Sequence, residues 1–187
     1  MGDPPTGCLA VRGYEDILPP YRGTPIEDLL AYHNLGLPLQ PCARPALLIG
    51  MCMDYRMWLR IPHNFAYVLR AGGCDIRDLE FHISVAVALG GVTALCLIGH
   101  DQCAMVGVAS RGTAFVQGLV ENGGWSSHDA QNHFAMHAFN VPVPDPVGFM
   151  QSEALRLSRR YPSITVAPLF YTVEDQVLYQ IHVGESG

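Results

Sequence analysis

Ala46-Leu47-Leu48-Ile49-Gly50-Met51-Cys52-Met53-Asp54-Tyr55-Arg56 decides how this chain is read. Residues 46–51 form a short apolar run with no polar alternation, the pattern of a strand buried on both faces of a parallel sheet. At Cys52 the run stops. A thiol, a carboxylate and a guanidinium then follow within five residues, at the point where such a strand ends.

Two further runs share this character, Phe65 to Leu69 and Ala94 to Ile98. Between them Ile76, Leu79, Ile83 and Val87 recur at helical spacing over Asp75 to Leu89, with Gly90-Gly91 as the stop. A strand–helix–strand crossover joins parallel strands, so the fold class is α/β, a mostly parallel central sheet flanked by helices. After Cys103 a helix is expected to about Glu121, ended by Asn122-Gly123-Gly124, and another from Asp145-Pro146 through Val147 to Tyr161. Ile164 to Thr172 and Gln176 to Val183, joined by Val173-Glu174-Asp175, read as a C-terminal hairpin at the sheet edge. Upstream, Thr24 caps a short helix with Pro25 at its first position, reaching about His33. Residues 1–25, rich in Pro and Gly, read as an extended arm that wraps a partner chain. The whole, 1–187, is a single domain.

Composition narrows the function. The chain is 49% hydrophobic and 15% charged with a net charge of −6, which argues against nucleic acid, since phosphate binding needs clustered Lys and Arg. No apolar run reaches membrane-spanning length, and the N-terminus lacks the basic and apolar regions of a signal peptide. A cytoplasmic protein with reduced thiols is the expectation. Cys8, Cys42, Cys74 and Cys96 are then plain small side chains.

Cys52, His100 and Cys103 are different. Cys52 follows the first strand and His100 the third, so both emerge at carboxyl ends of neighbouring parallel strands, where open α/β sheets place their ligands. Two thiolates and an imidazole are three ligands for Zn²⁺, leaving a fourth position open as catalytic zinc sites do. A helix starting beneath Cys103 would favour its thiolate. Asp54 and Arg56 are close enough for a bidentate clamp. Asp54 then either orients a water on the metal or fills the fourth position itself; the plainer alternative is a surface salt bridge. His128, His133 and His137 make a further group, of which His133 and His137 share a helical face. The Glu of H-E-x-x-H is missing, and a packed or solvated helix face is the simpler account beside a proton shuttle or second site. Trp125, Phe134 and Phe139 read as core or interface.

Cys52-Met53-Asp54-Tyr55-Arg56, the loop Ala71-Gly72-Gly73 and Gly99-His100-Asp101-Gln102-Cys103 together resemble the β-class carbonic anhydrases, over about residues 24–183. Ile26 to Leu30 is similar to that family's N-terminal helix, and Asp145-Pro146-Val147 with the final hairpin to its closing segments. The resemblance implies zinc on Cys52, His100 and Cys103, an Asp54–Arg56 catalytic dyad, and a homodimer or dimer-based oligomer with sites at the subunit interface. It implies reversible hydration of CO₂ to bicarbonate by zinc-bound hydroxide. Carbonyl sulfide or carbon disulfide hydrolysis on the same site is an alternative, and so is a catalytically silent zinc-binding assembly component. The chain departs from the family in Leu69-Arg70-Ala71-Gly72-Gly73, where the usual Asn between Arg and Ala-Gly is absent or one residue has been deleted, at Tyr55 in place of Ser, and at Asp101-Gln102-Cys103-Ala104, which displaces the usual acid and loses the last Gly.

Overall fold

The structure is a computed structural model that describes residues 5–138 and 145–182. Six strands and five α-helices follow in chain order among these residues. They are β1 (Cys8–Leu9), α1 (Pro25–Leu35), β2 (Leu47–Cys52), β3 (Ala66–Ala71), α2 (Glu80–Ala88), β4 (Ala94–His100), α3 (Gly112–Gly123), α4 (Ser127–His137), α5 (Pro146–Arg160), β5 (Thr165–Thr172) and β6 (Val177–Ile181). The strands form one sheet in the order β1-β6-β5-β4-β2-β3. β3, β2, β4 and β5 run parallel, while β6 and β1 are antiparallel additions.

The apolar runs at β2 and β4 are buried at every residue, as their lack of alternation requires. Leu47, Ile49 and Met51 with Ala94, Cys96 and Ile98 face one cluster, which includes Ile26, Leu29 and Leu30 of α1. Leu48, Leu95 and Leu97 face the other, with Ile83 of α2 and Met150, Ala154 and Leu157 of α5. Strand alternation therefore divides the core into two layers. Gly99 lets α5 come close: a Cβ there would lie 2.9 Å from Met150 Cγ and 3.3 Å from the Pro146 carbonyl oxygen.

Helix ends follow their signals. Thr24 Oγ1 accepts from the Ile26 N–H, Asp145 Oδ1 from Val147 N–H, and Gly36 and Gly124 close α1 and α3 in left-handed conformation. The 75–89 helix begins as a 3₁₀ turn, Arg77–Leu79, and becomes α-helical at Glu80.

Four expectations need correction. Residues 5–25 are not an extended arm. Val11, Ile17 and Tyr21 are buried against the chain's own sheet, β1 pairs with β6, and the buried Gln180 carboxamide accepts from Leu18 N–H and donates to the Asp16 carbonyl. The arm packs at home because Val11, Ile17 and Tyr21 give it an apolar face of its own. The C-terminal hairpin consequently sits one strand in from the edge, beneath β1. At the other edge, β3 is not buried on both faces: Tyr67 and Val68 are exposed, as befits the edge strand of the sheet formed by the described residues. Finally, no helix starts at Cys103. A turn and a 3₁₀ segment, Val108–Arg111, come first, since Gly107 at φ 69° breaks the path, and α3 begins only at Gly112. Phe139 and Val183 lie outside the described residues. Among the described residues no helix is long and apolar enough to cross a membrane.

Candidate metal centre

β2 and β4 are adjacent and parallel, with Met51 opposite Ile98, so their carboxyl ends open side by side. Cys52 is the last residue of β2, His100 the last of β4, and Cys103 stands in the turn that follows. Their ligating atoms all lie within 4.8 Å of one another, and the three residues are buried. Among the described residues this is the one His/Cys/Asp/Glu group so arranged.

The donor set fits a borderline divalent cation. Cys52 Sγ and Cys103 Sγ are 3.9 Å apart. Two thiolates at a Zn–S distance of about 2.3 Å and tetrahedral angle would be separated by roughly 3.8 Å. Both ring nitrogens of His100 are buried without a hydrogen-bond partner. A buried imidazole with neither nitrogen satisfied is costly, and a cation is the partner that would remove the cost. Hydrogen bonds shape the thiols. Cys52 is pushed down, first by its hydrogen bond with Cys103 and further by the backbone N–H groups of Asp54 and Gly73, against the opposing effect of burial. Cys103 is pushed up, chiefly by its hydrogen bond to Cys52 and then by burial. One proton thus serves both sulfurs, and a divalent cation would take its place. The support expected from a helix N-terminus is not there; backbone N–H groups of Met105 and Val106 favour the Cys103 thiolate instead.

The loop after β2 brings Asp54 and Arg56 together. Arg56 Nε donates to Asp54 Oδ1 at 3.0 Å and Nη2 to Oδ2 at 2.7 Å, while the Arg56 backbone N–H also donates to Oδ1. This is a bidentate clamp closed over an Asx-turn. The Arg56 guanidinium beside it holds the Asp54 carboxyl down at about 2. Asp54 is turned toward Arg56 and stands outside the three-residue group.

Residues that spacing did not single out complete the arrangement. Gln102 accepts from Arg56 twice, Nη1 to its Oε1 at 3.2 Å and Nη2 to its carbonyl at 3.0 Å. It does so from a left-handed backbone, φ 52°, a strained conformation for a residue with a side chain. Arg70, near the end of β3, donates to the carbonyls of Cys52, Asp54 and Met57 and so fastens the loop. A cation in an otherwise apolar strand was the available signal. Gly73, at φ 65°, donates its N–H to Cys52 Sγ at 3.3 Å. Asp101 Oδ1 accepts from Val173 N–H, pinning the His100–Cys103 turn to the end of β5. His133 and His137 lie on α4 and Trp125 just before it, outside this site.

No protein-family model and no curated protein matches the sequence. Solved structures do. A carbonic anhydrase from Glaciozyma antarctica is 22% identical, with 90% of this chain and 98% of that one aligned at a TM-score of 0.56. A β-carbonic anhydrase from Trichomonas vaginalis is 18% identical over 79% of this chain and 88% of its own, TM-score 0.59. The apo form of a carbon disulfide hydrolase is 18% identical over 84% and 86%, TM-score 0.51. The chain therefore has the β-carbonic anhydrase fold.

Proposed function

We propose that this chain is a zinc-dependent carbonic anhydrase-like enzyme that hydrates CO₂ reversibly to bicarbonate, with Cys52, His100 and Cys103 holding the metal. The observation that carries the reading is the buried His100, both nitrogens unpartnered, beside two sulfurs at the separation a tetrahedral ion requires. A bound Zn²⁺ would supply Lewis acidity, lowering the pKa of a water toward neutrality.

The protein's own groups do the rest. Asp54 Oδ1 accepts two hydrogen bonds from Arg56 and Oδ2 accepts one, so Oδ2 keeps an acceptor site for the attacking water. A carboxyl held at about 2 stays ionised at neutral pH, which makes Asp54 an orienting acceptor and not a proton donor. Arg56 fixes the carboxylate, and Gln102 fixes Arg56. Arg70 keeps the loop seated on β2. Together they set the direction of the nucleophile before a compact, linear electrophile arrives, and preorganisation of this kind contributes to rate because nothing must move during the reaction.

The same reading carries a homodimer or dimer-based oligomer. Tyr67 and Val68 on the open sheet edge, with Phe81 and Leu89 of α2, expose apolar surface of the kind partner chains cover. A monomeric mass in light scattering at micromolar concentration would count against it.

Stopped-flow CO₂ hydration on zinc-loaded protein, with carbonyl sulfide and carbon disulfide assayed in parallel, tests the function. Hydration dependent on zinc is the expected result. Turnover of a sulfur compound alone would move the substrate, and no turnover of any of the three, at full zinc content, would leave a metal-binding assembly component.

A further inference from the structure

α4 carries imidazoles that this chemistry does not use. His133 and His137 are one turn apart on the same helix face, their ring centroids 4.7 Å from each other. His133 is half-buried between two aromatic rings, stacked on Phe115 of α3 at 6.2 Å and tilted against Trp125 at 5.1 Å. Those contacts fix the plane of its ring. His137 is exposed in the last turn of α4.

Two other helical histidines are occupied differently. His33 spends both nitrogens, one on the Gln176 carbonyl and one on Arg60 N–H, and His128 bonds the Asn132 carboxamide. The His133 and His137 rings are instead engaged by aromatic contacts. Two features of the helix add to the pair. Asp129 stands one turn before His133 and accepts from the Ser126 hydroxyl, leaving the two imidazoles as the ligands, with its negative charge nearby. The carboxyl end of α4, where His137 sits, carries the negative end of the helix dipole and favours a cation.

Imidazole nitrogens sharing one ion at about 2.1 Å lie roughly 3 Å apart, which the exposed His137 reaches by rotation about its χ angles while His133 stays in place. We propose that His133 and His137 form a second, solvent-facing site for a divalent transition-metal ion of the Ni²⁺ and Zn²⁺ class. Two imidazoles select such an ion over Mg²⁺ or Ca²⁺, which prefer oxygen. With two protein ligands and water in the remaining positions, the ion exchanges freely, unlike one held by the buried cluster at the strand ends.

Trp125 is the reporter. The chain has two tryptophans, so Trp58→Phe leaves Trp125 alone beside His133. Zinc-loaded Trp58→Phe protein titrated with Ni²⁺ should lose Trp125 fluorescence, saturating at one added ion per chain in the micromolar range. Replacing His137, which is exposed, by Asn should raise the midpoint by at least about tenfold without disturbing the fold, since one of two ligands is gone. The double change His133→Asn and His137→Asn should abolish saturable quenching. Cys103→Ser should leave it intact. Quenching that survives the double change, quenching abolished by Cys103→Ser, or no quenching at millimolar Ni²⁺ would each overturn the site.

Discussion

The strand-end cluster of Cys52, His100 and Cys103 and the histidine pair on α4 are both groups of metal-ligating side chains, yet the fold supports them in opposite ways. The first stands where two fully buried strands end, under three layers of anchoring: Gly73 N–H on the sulfur, Arg70 on the loop, and Asp101 on the turn. The second rides on a helical hairpin. α3 has no buried residue and α4 has Ala130 alone, and their principal packing is on each other. The lesson concerns where ligand geometry comes from. At the strand ends it is imposed by core packing, whereas on α4 it comes from helix periodicity and two aromatic neighbours.

The largest expected difference is in stability. Leu97→Ala, beneath the strand-end centre and fully buried, should cost about 3 kcal/mol by urea denaturation, as a transfer loss plus a cavity. Leu119→Ala on α3, half-buried, should cost less than about 1 kcal/mol. Equal losses would mean that the hairpin belongs to the cooperative core.

Activity comes next. Arg56→Ala should lower kcat/KM for CO₂ hydration by about 100-fold while zinc content stays full, because the metal ligands are untouched and the orienting carboxylate is released. Gln102→Ala, which removes one of the two hydrogen bonds from Arg56 to this residue, should cost about tenfold. Turnover unchanged in Arg56→Ala would remove the dyad from the reaction.

The helix caps make a finer comparison. Asp145→Ala should lower global stability by about 1 kcal/mol, since α5 is packed on the sheet through Met150, Ala154 and Leu157. Ser126→Ala removes an equivalent bond from α4, yet it should appear mainly as faster amide exchange within α4. A matching fall in the urea midpoint would again join hairpin and core.

The smallest effect is electrostatic. Arg156, then Arg160, hold the Glu80 carboxyl below its usual range and tie α2 to α5. A depressed folded pKa stabilises above the unfolded value of 4.5, and the contribution is lost as pH falls through the lower folded value. Glu80→Gln should therefore cost less than about 1 kcal/mol at neutral pH, and its urea midpoint should converge on the parent's in acid.

Local chemistry alone determined a good deal of this protein. Unbroken apolar runs specify β2 and β4, Thr24 and Asp145 specify where α1 and α5 start, and Gly124 where α3 stops. The spacing of Cys52, His100 and Cys103 picks out side chains that the sheet does bring together. Apart from the meeting of Cys52 with His100 across two strands, each of these depends on residues within a turn or a strand of one another. Tertiary structure decided the rest. Phe65 to Leu69 reads like the other buried strands, but exposure depends on whether a neighbour lies beyond, and among the described residues none does. Residues 5–25 look unanchored until Gln180, more than 150 positions from Asp16 and Leu18, receives them. Gln102 shows no signal in its spacing because its function is set by Arg56 across 46 positions and by a backbone angle held by the turn. Sequence patterns report what a segment can bury or bond within its own period, and long-range pairing fixes which surfaces and partners it meets.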